Sequence, residues 1–149
     1  MISTILKTAA AAALSSAIFA GAALANPSVW KFEWPTTDFD KSSVDFDDIL
    51  SGGPPKDGIP AIDRPRHIGL GELEEFGDFE IEATEPVVGI VINGEMRAYP
   101  LSILLWHEIV NDELGGVPIS VTFCPLCNAA VVFDRRLEDK VLDFGTTGK

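Results

Sequence analysis

The sequence predicts an α+β fold in which antiparallel strands predominate and one main helix lies across the sheet. Two apolar runs flank an Asn-Gly dipeptide at positions 93–94, a pattern typical of a β-hairpin. Two β-branched and aromatic runs flank a C-P-L-C turn at 124–127. Between these two pairs of strands, apolar residues at helical spacing predict a helix over 101–110. Antiparallel strands with one helix packed on them are an α+β arrangement.

The first 25 residues are predicted to be a secretory signal peptide. Lys7 precedes an Ala-rich apolar run, and Ala23-Leu24-Ala25 satisfies the small-x-small rule for cleavage after Ala25. An uncleaved anchor is the alternative, but serines interrupt the run and no basic stop-transfer residues follow it. We therefore expect a periplasmic or secreted protein with no stable membrane anchor after cleavage, in a compartment where thiols are oxidised.

Residues 26–58 are predicted to form an amino-terminal extension that ends in a Pro- and Gly-rich linker. The segment 28–34 alternates large apolar with charged or small residues, which favours a short strand with its three aromatic side chains on one face. Aspartates cluster in 36–48, but Ser43 stands where a calcium loop requires glycine, so a solvated acidic segment is expected. The prolines and glycines of 51–65 predict a connecting loop.

The other predicted elements follow from residue 59 to the end of the chain. The acidic segment 72–85 is expected to contain a short helix that ends before Pro86. The helix over 101–110 follows Pro100 and is expected to stop before Gly115-Gly116. Strands are expected at the β-branched and aromatic runs, namely at 87–92, 95–99, 119–123, 129–134 and 141–144.

The charge balance excludes two classes of partner. The chain has 23 acidic and 11 basic residues and a net charge of −12. Nucleic acid is bound by clustered Lys and Arg, and here the only close basic groups are Arg64-Pro65-Arg66-His67 and the pair Arg135-Arg136. An anionic membrane surface is excluded for the same reason.

The only two cysteines of the chain, Cys124 and Cys127, have a spacing that suits either two thiolates on one metal or a redox-active dithiol. A purely structural disulfide is less favoured, because it would close a very short loop and constrain the unfolded chain little. Thioredoxin-type dithiols begin a helix, whereas strand residues follow Cys127, and this favours a metal-binding turn. Asn128 suits the left-handed conformation that such a turn requires.

A metal site needs a third ligand, because zinc centres have four ligands, or three and an open position for water. His107, on the predicted helix, is the candidate, and Glu108 or Asp112 is expected to orient its ring. The predicted metal ligands are therefore Cys124, Cys127 and His107, with zinc, copper or iron as the metal. The alternative for His107 is a hydrogen-bonded structural histidine, and His67 is a weaker ligand candidate.

The chain resembles the DUF3179 family, a group of proteins of unknown function, through several motifs in order. These are I-P-A-I-D-R-P at 59–65, I-N-G-E-M-R-A-Y-P-L at 92–101, W-H-E-I-V-N-D at 106–112 and C-P-L-C followed by V-V-F-D-R up to residue 135. The resemblance implies a DUF3179-like domain over 59–149 and implies that the family's domain extends further, so that this chain holds an incomplete, amino-terminal part. His107, Cys124 and Cys127 lie in the shared motifs. Asp134 and Arg135 lie there too, and we expect them to form a buried ion pair.

We therefore expect an exported protein that binds a metal through the C-x-x-C turn and a helix histidine. The first alternative is a thiol-disulfide redox protein that uses the same two cysteines. The second is a non-catalytic binding or structural module in which the turn is only architectural. The sequence assigns no residue a catalytic role and indicates neither a small-molecule nor a protein partner.

Overall fold

The computed structural model describes residues 27–69, 71–72 and 81–148. The chain forms two compact units, one ending at Gly53 and the other running from Pro54 to Gly148. The predicted signal peptide and most of the predicted acidic helix, at 73–80, lie outside the described residues. In the described ranges, no helix has both the length and the apolar character needed to cross a bilayer.

The first unit contains helix α1 (Pro27–Glu33), where the sequence predicted a strand. The prediction was wrong because the period-two alternation does not form one buried face: Trp30 is buried while Phe32 is 88% exposed. Pro27 suits the first turn of a helix. The Trp30 ring packs against Phe39 and Phe46 at centroid distances of 6.2 and 5.6 Å, so a small aromatic cluster decides the orientation of the helix.

A four-stranded sheet organises the second unit. Its strands are β1 (Ile62–Asp63), β4 (Ile109–Leu114), β5 (Val117–Cys124) and β6 (Ala129–Asp134), in the spatial order β1-β4-β5-β6. The short β1 runs parallel to β4, and the other pairs are antiparallel. Strands β5 and β6 confirm the two predicted runs on either side of the C-P-L-C turn, and the α+β class is confirmed.

The predicted hairpin is confirmed as β2 (Val87–Ile92) and β3 (Glu95–Pro100), which pair along their full length. Asn93 and Gly94 have φ values of 52° and 85°, the positive pair that a type I′ turn requires. The Asn93 side chain also donates a hydrogen bond to the Gly115 carbonyl at 2.8 Å, which ties the hairpin to the turn after β4.

Helix α2 (Leu101–His107) is shorter than the predicted 101–110. Glu108 takes the left-handed conformation at φ 58°, its N–H bonds to the Leu104 carbonyl, and the chain then enters β4. Ile109 and Val110 have helical spacing but are β-branched, and pairing with β5 decides in favour of the strand. The first backbone N–H groups of a helix have no partner within it, and in α2 Ser102 N donates instead to the Glu85 carboxylate at 2.7 Å.

The hydrophobic core lies between one face of the sheet and the layer formed by α2 and the hairpin. Its buried members are Tyr99, Leu104, Val110, Leu114, Ile119, Val121 and Phe123. The opposite face of the sheet is covered in part by the end of the described chain. There the Asn111 amide donates to the Asp63 carboxylate and to the Phe144 carbonyl, both at 2.8 Å.

A short hairpin of two two-residue strands follows β6. These strands are β7 (Arg136–Leu137) and β8 (Lys140–Val141). The sequence predicted a strand over 141–144, but only Val141 belongs to one. Phe144 leaves the strand direction because its N–H and carbonyl both bond to the Asn111 side chain.

Candidate functional site

The C-P-L-C segment forms the turn that joins β5 to β6. Cys124 is the last residue of β5 and pairs with Ala129, the first residue of β6. Asn128 has φ 48°, so its predicted left-handed conformation is confirmed. The side chain of Leu126, between the cysteines, is 98% exposed. The dithiol therefore lies on a surface hairpin turn and not at the start of a helix.

The two sulfurs of this turn face each other. Their Sγ atoms lie 2.7 Å apart, and both cysteines are free thiols. The backbone N–H of Cys127 donates to the Cys124 sulfur at 3.2 Å. The hydrogen bond with the Cys127 thiol, helped by this N–H, lowers the pKa of Cys124, whereas the same bond raises the pKa of Cys127. One sulfur is therefore favoured as the thiolate and the other as the thiol.

Helix α2 ends beside this turn. The Phe123 N–H donates to the Glu108 carbonyl at 2.8 Å, which brings the corner between α2 and β4 next to Cys124. The negative charge of Glu108 opposes the effect of the hydrogen bonds and acts to raise the pKa of Cys124. His107, the last residue of α2, immediately precedes Glu108 at this corner.

His107 is oriented by a partner that the sequence did not indicate. Its Nδ1 lies 2.8 Å from the Pro60 carbonyl, and a backbone carbonyl can only accept, so Nδ1 carries the proton in this contact. The Pro60 carbonyl therefore orients the ring, and not Glu108 or Asp112 as the sequence predicted. Across the described residues, no group of three or more His, Cys, Asp or Glu side chains is arranged to hold a metal ion.

Asp112 is instead the centre of a second cluster of polar residues that sequence reasoning missed. Its side chain is 7% exposed, and its Oδ2 accepts hydrogen bonds from Tyr99 Oη and Arg97 Nη1, both at 2.7 Å. His67 Nε2 lies 3.1 Å from the same oxygen. The Glu113 N–H donates to Oδ1 at 2.7 Å. Four donors thus satisfy one buried carboxylate.

These contacts set the protonation states in the cluster. Burial alone acts to raise the pKa of Asp112, but the hydrogen bonds from Tyr99, the Glu113 N–H, Arg97 and His67 together lower it. Burial and the bond to Asp112 raise the pKa of Tyr99 far above its usual value. The cluster therefore holds an ionised carboxylate and a neutral phenol, which is the arrangement of a structural anchor between β3 and β4.

The expected ion pair between Asp134 and Arg135 is not formed, because neighbours on a strand point to opposite faces. Asp134 pairs on the surface with Arg136, whose Nη2 lies 2.5 Å from Oδ2. Arg135 is buried and pairs with Asp143, and its guanidinium also donates to the carbonyls of Leu142 and Asp112. Arg135 therefore fastens the end of the described chain to the sheet.

The structure brings some of the predicted residues together and adds others. Cys124 and Cys127 are in contact, whereas the His107 ring bonds to the Pro60 carbonyl and forms no metal-holding group with them among the described residues. His67 belongs to the Asp112 cluster, together with Arg97 and Tyr99. The spacing of Arg97 and Tyr99, two residues apart on a predicted strand, indicates that they share a face, but the pairing partner Asp112 follows only from the tertiary fold.

The C-P-L-C turn combines an exposed position with two thiols of different acidity. No curated protein and no solved structure matched the chain. A family model described as "Protein of unknown function (DUF3179)" matches residues 56–149. The match extends over the whole sheet, the hairpin, α2 and the dithiol turn, so the chain belongs to the DUF3179 family.

Proposed function

We propose that this chain is an exported thiol-disulfide exchange protein whose reactive group is the Cys124–Cys127 dithiol. The contact of the two sulfurs at 2.7 Å is the observation that carries the proposal. Two free thiols in contact on one exposed turn need only a small movement to form a disulfide.

The proposed reaction has two steps. The Cys124 thiolate attacks one sulfur of a substrate disulfide, which forms a mixed disulfide and releases the first substrate thiolate. Cys127 then loses its proton and attacks the Cys124 sulfur, which releases the second substrate thiolate and leaves the Cys124–Cys127 disulfide. The substrate gains two electrons and the dithiol loses two. The acidities support this order, because the hydrogen bonds lower the pKa of Cys124 and raise that of Cys127.

Export is part of the proposal, because the signal-peptide pattern of residues 1–25 would deliver the dithiol to an oxidising compartment. The test is expression of the full chain in a Gram-negative bacterium, followed by fractionation and amino-terminal sequencing. We expect a periplasmic product that begins at Asn26. An uncleaved product in the membrane fraction, or a cytosolic one, contradicts this assignment.

The thiol chemistry is tested by equilibrating the chain in redox buffers and counting free thiols by alkylation and mass spectrometry. We expect reversible two-electron oxidation with a potential of about −120 to −270 mV, the range of known exchange proteins. The Cys127→Ser variant is expected to trap a mixed disulfide with substrate, whereas Cys124→Ser is not. Absence of reversible oxidation, or a potential below about −300 mV, contradicts an exchange function.

A metal centre at Cys124, Cys127 and His107, with zinc, copper or iron, is the second candidate. It is favoured by one observation: His107 donates its Nδ1 proton to the Pro60 carbonyl, which leaves the Nε2 lone pair available to a metal, as is usual in metal-binding histidines. The measurement is metal analysis of protein purified without chelator. Stoichiometric metal that is lost in both Cys→Ser variants and in His107→Ala supports this candidate and contradicts the dithiol proposal.

A further inference from the structure

Two buried polar atoms of the second unit have no hydrogen-bond partner among the described residues. They are the hydroxyl oxygen of Ser120, on β5, and the Nε of Arg135, just after β6. Ser120 is fully buried and Arg135 is 7% exposed. A buried donor or acceptor without a partner costs about 1 to 3 kcal/mol, and the large majority of such atoms in proteins are paired with a protein group or a water molecule. The two atoms therefore indicate a bound partner inside the fold.

Ser120 lies beneath the segment that closes one face of the sheet. It pairs with Asn111 on β4 and with Phe133 on β6, so the three side chains share the face of the sheet opposite the hydrophobic core. The Asn111 side chain bonds to the backbone of Phe144, and the Phe133 ring stacks on the Phe144 ring at a centroid distance of 6.4 Å. Phe144 contacts both neighbours of Ser120, and the chain around Phe144 therefore lies over Ser120.

The side chain of Arg135 reaches the same place from the end of β6. Arg135 is two residues beyond Phe133, so its side chain points to the same face. Its backbone N–H donates to the Pro118 carbonyl of β5, and its Nη2 donates to the Asp112 carbonyl of β4 at 3.2 Å. A side chain that begins beside β5 and ends at β4 crosses β5, and Pro118 and Ser120 are the adjacent β5 residues on this face. The register therefore brings the Nε of Arg135 to the side of Ser120.

The chemistry of the two atoms defines the partner. The Nε of arginine only donates, so the partner must accept a hydrogen bond, whereas the serine hydroxyl can donate or accept. Both atoms are closed off from solvent by this chain itself, so the partner is small enough to lie inside the fold. A water molecule meets both conditions, and buried water molecules typically make about three hydrogen bonds to polar groups of this kind.

Charge favours water over a small anion as this partner. The guanidinium of Arg135 is already paired with the carboxylate of Asp143, and it also donates to the Leu142 carbonyl at 2.9 Å. On the same face, the carboxylate of Asp63 accepts a hydrogen bond from the Asn111 amide. The positive charge of Arg135 is therefore balanced. A further anion would lose its hydration without gaining a free counter-charge, which is unfavourable.

We propose that one water molecule is bound inside the second unit, where it accepts a hydrogen bond from Arg135 Nε and bonds to Ser120 Oγ. This site is independent of the thiol-disulfide function proposed above. Because Arg135 also holds Leu142 and Asp143, the water links β5 to the segment that closes this face of the sheet. It is an internal part of the fold and not surface hydration.

A crystal structure of the unmodified chain, at a resolution that shows ordered water, tests the site directly. We expect a density peak at a hydrogen-bond distance of about 2.7 to 3.2 Å from both Ser120 Oγ and Arg135 Nε. The absence of a peak there, or a direct bond between the two side chains, overturns the proposal. A second crystal soaked in bromide separates water from an anion, because bromide gives an anomalous signal. An anomalous peak at this position overturns the assignment to water.

Oxygen-17 magnetic relaxation dispersion tests the same site in solution, because its amplitude reports the number of long-lived internal water molecules. Ser120→Ala removes one of the two groups that hold the water. Thr122→Val is the matched control, because Thr122 lies on the same face of β5 and its hydroxyl bonds to the Val131 carbonyl at 2.9 Å. We expect the amplitude to fall by the equivalent of one water molecule in Ser120→Ala and to stay unchanged in Thr122→Val.

An amplitude in Ser120→Ala equal to that of the unmodified chain overturns the proposal, because Ser120 then holds no water. An equal fall in Thr122→Val also overturns it, because the lost water would then not be specific to Ser120. If Ser120→Ala does not fold, the crystal structure of the unmodified chain decides the question.

Discussion

Replacement of Asp112 by asparagine tests whether the Asp112 cluster stabilises the fold. The side chain is 7% exposed and accepts hydrogen bonds from Tyr99, Arg97, His67 and the Glu113 N–H. Asparagine has the same shape, but it replaces one acceptor oxygen by a donor. Whichever way the amide is turned, its NH₂ group faces at least one of these donors. The substitution therefore removes the negative charge and also leaves at least one buried donor without its acceptor.

The structure gives the size of the effect. A hydrogen bond to a charged group contributes about 1.5 to 3 kcal/mol, and removal of one partner from a buried ion pair costs about 3 to 5 kcal/mol. Arg97 is partly exposed, with 21% of its side chain accessible, so water compensates some of the lost charge. We therefore expect Asp112→Asn to lower the free energy of unfolding by about 2 to 4 kcal/mol at pH 7.

The same variant has a defined pH dependence. The pKa of Asp112 is lowered below its ordinary value of 3.8 in the folded chain. Its contribution to stability is therefore complete above about pH 4 and disappears as the pH falls through the folded-state pKa. We expect the difference between the two proteins to shrink as the pH falls below about 4.

The assay is urea denaturation followed by far-ultraviolet circular dichroism, repeated across this pH range. Glu113→Gln is the matched control, because it removes an exposed carboxylate from the adjacent position, and we expect a change within about 0.5 kcal/mol. A loss below about 1 kcal/mol for Asp112→Asn at pH 7, or a difference that grows as the pH falls below about 4, refutes the role assigned to the buried carboxylate.

Two more predictions concern helix α2 and its end. Leu104 is fully buried, whereas its neighbour Leu105 is 52% exposed. In urea denaturation, Leu104→Ala should therefore lower the free energy of unfolding by about 3 to 5 kcal/mol, and Leu105→Ala by about 0.5 kcal/mol or less. Similar losses in the two variants would contradict the assigned core. Glu108→Gln removes a negative charge that acts to raise the pKa of Cys124, so the pH midpoint of Cys124 alkylation should move down. Glu138→Gln, in the β7–β8 turn, is a control with the same change of net charge. An unchanged or higher midpoint for Glu108→Gln would exclude an effect of Glu108.

The elements that local sequence predicted correctly are those in which local and tertiary preferences agree. The hairpin β2–β3 follows from Asn93-Gly94, because few other dipeptides readily adopt two positive φ values. Strands β5 and β6 follow from β-branched and aromatic runs that bound the cysteine turn. In each case the short-range signal needed no distant partner to be interpreted.

The errors have one physical origin, which is that periodicity does not identify the buried face. Residues 28–34 alternate as a strand would, but the packing of Trp30 on two phenylalanine rings accompanies a helix. Ile109 and Val110 continue the helical spacing of α2, but they are the first two residues of β4, which forms six residue pairs with β5. Local propensity is weaker than the burial and hydrogen bonding that a neighbouring strand provides.

The sequence by itself determined the class of fold, the hairpin, the acidic surface and the candidate reactive pair, because two cysteines at this spacing on one turn must lie close together. Only the tertiary structure decided which groups act on them and which act elsewhere. Glu108 reaches Cys124 because α2 ends beside β5, whereas Asp112 turns to Tyr99 and Arg97 across the strands. Contacts between residues distant in sequence depend on strand order and register, and those arise from the collective burial of apolar side chains.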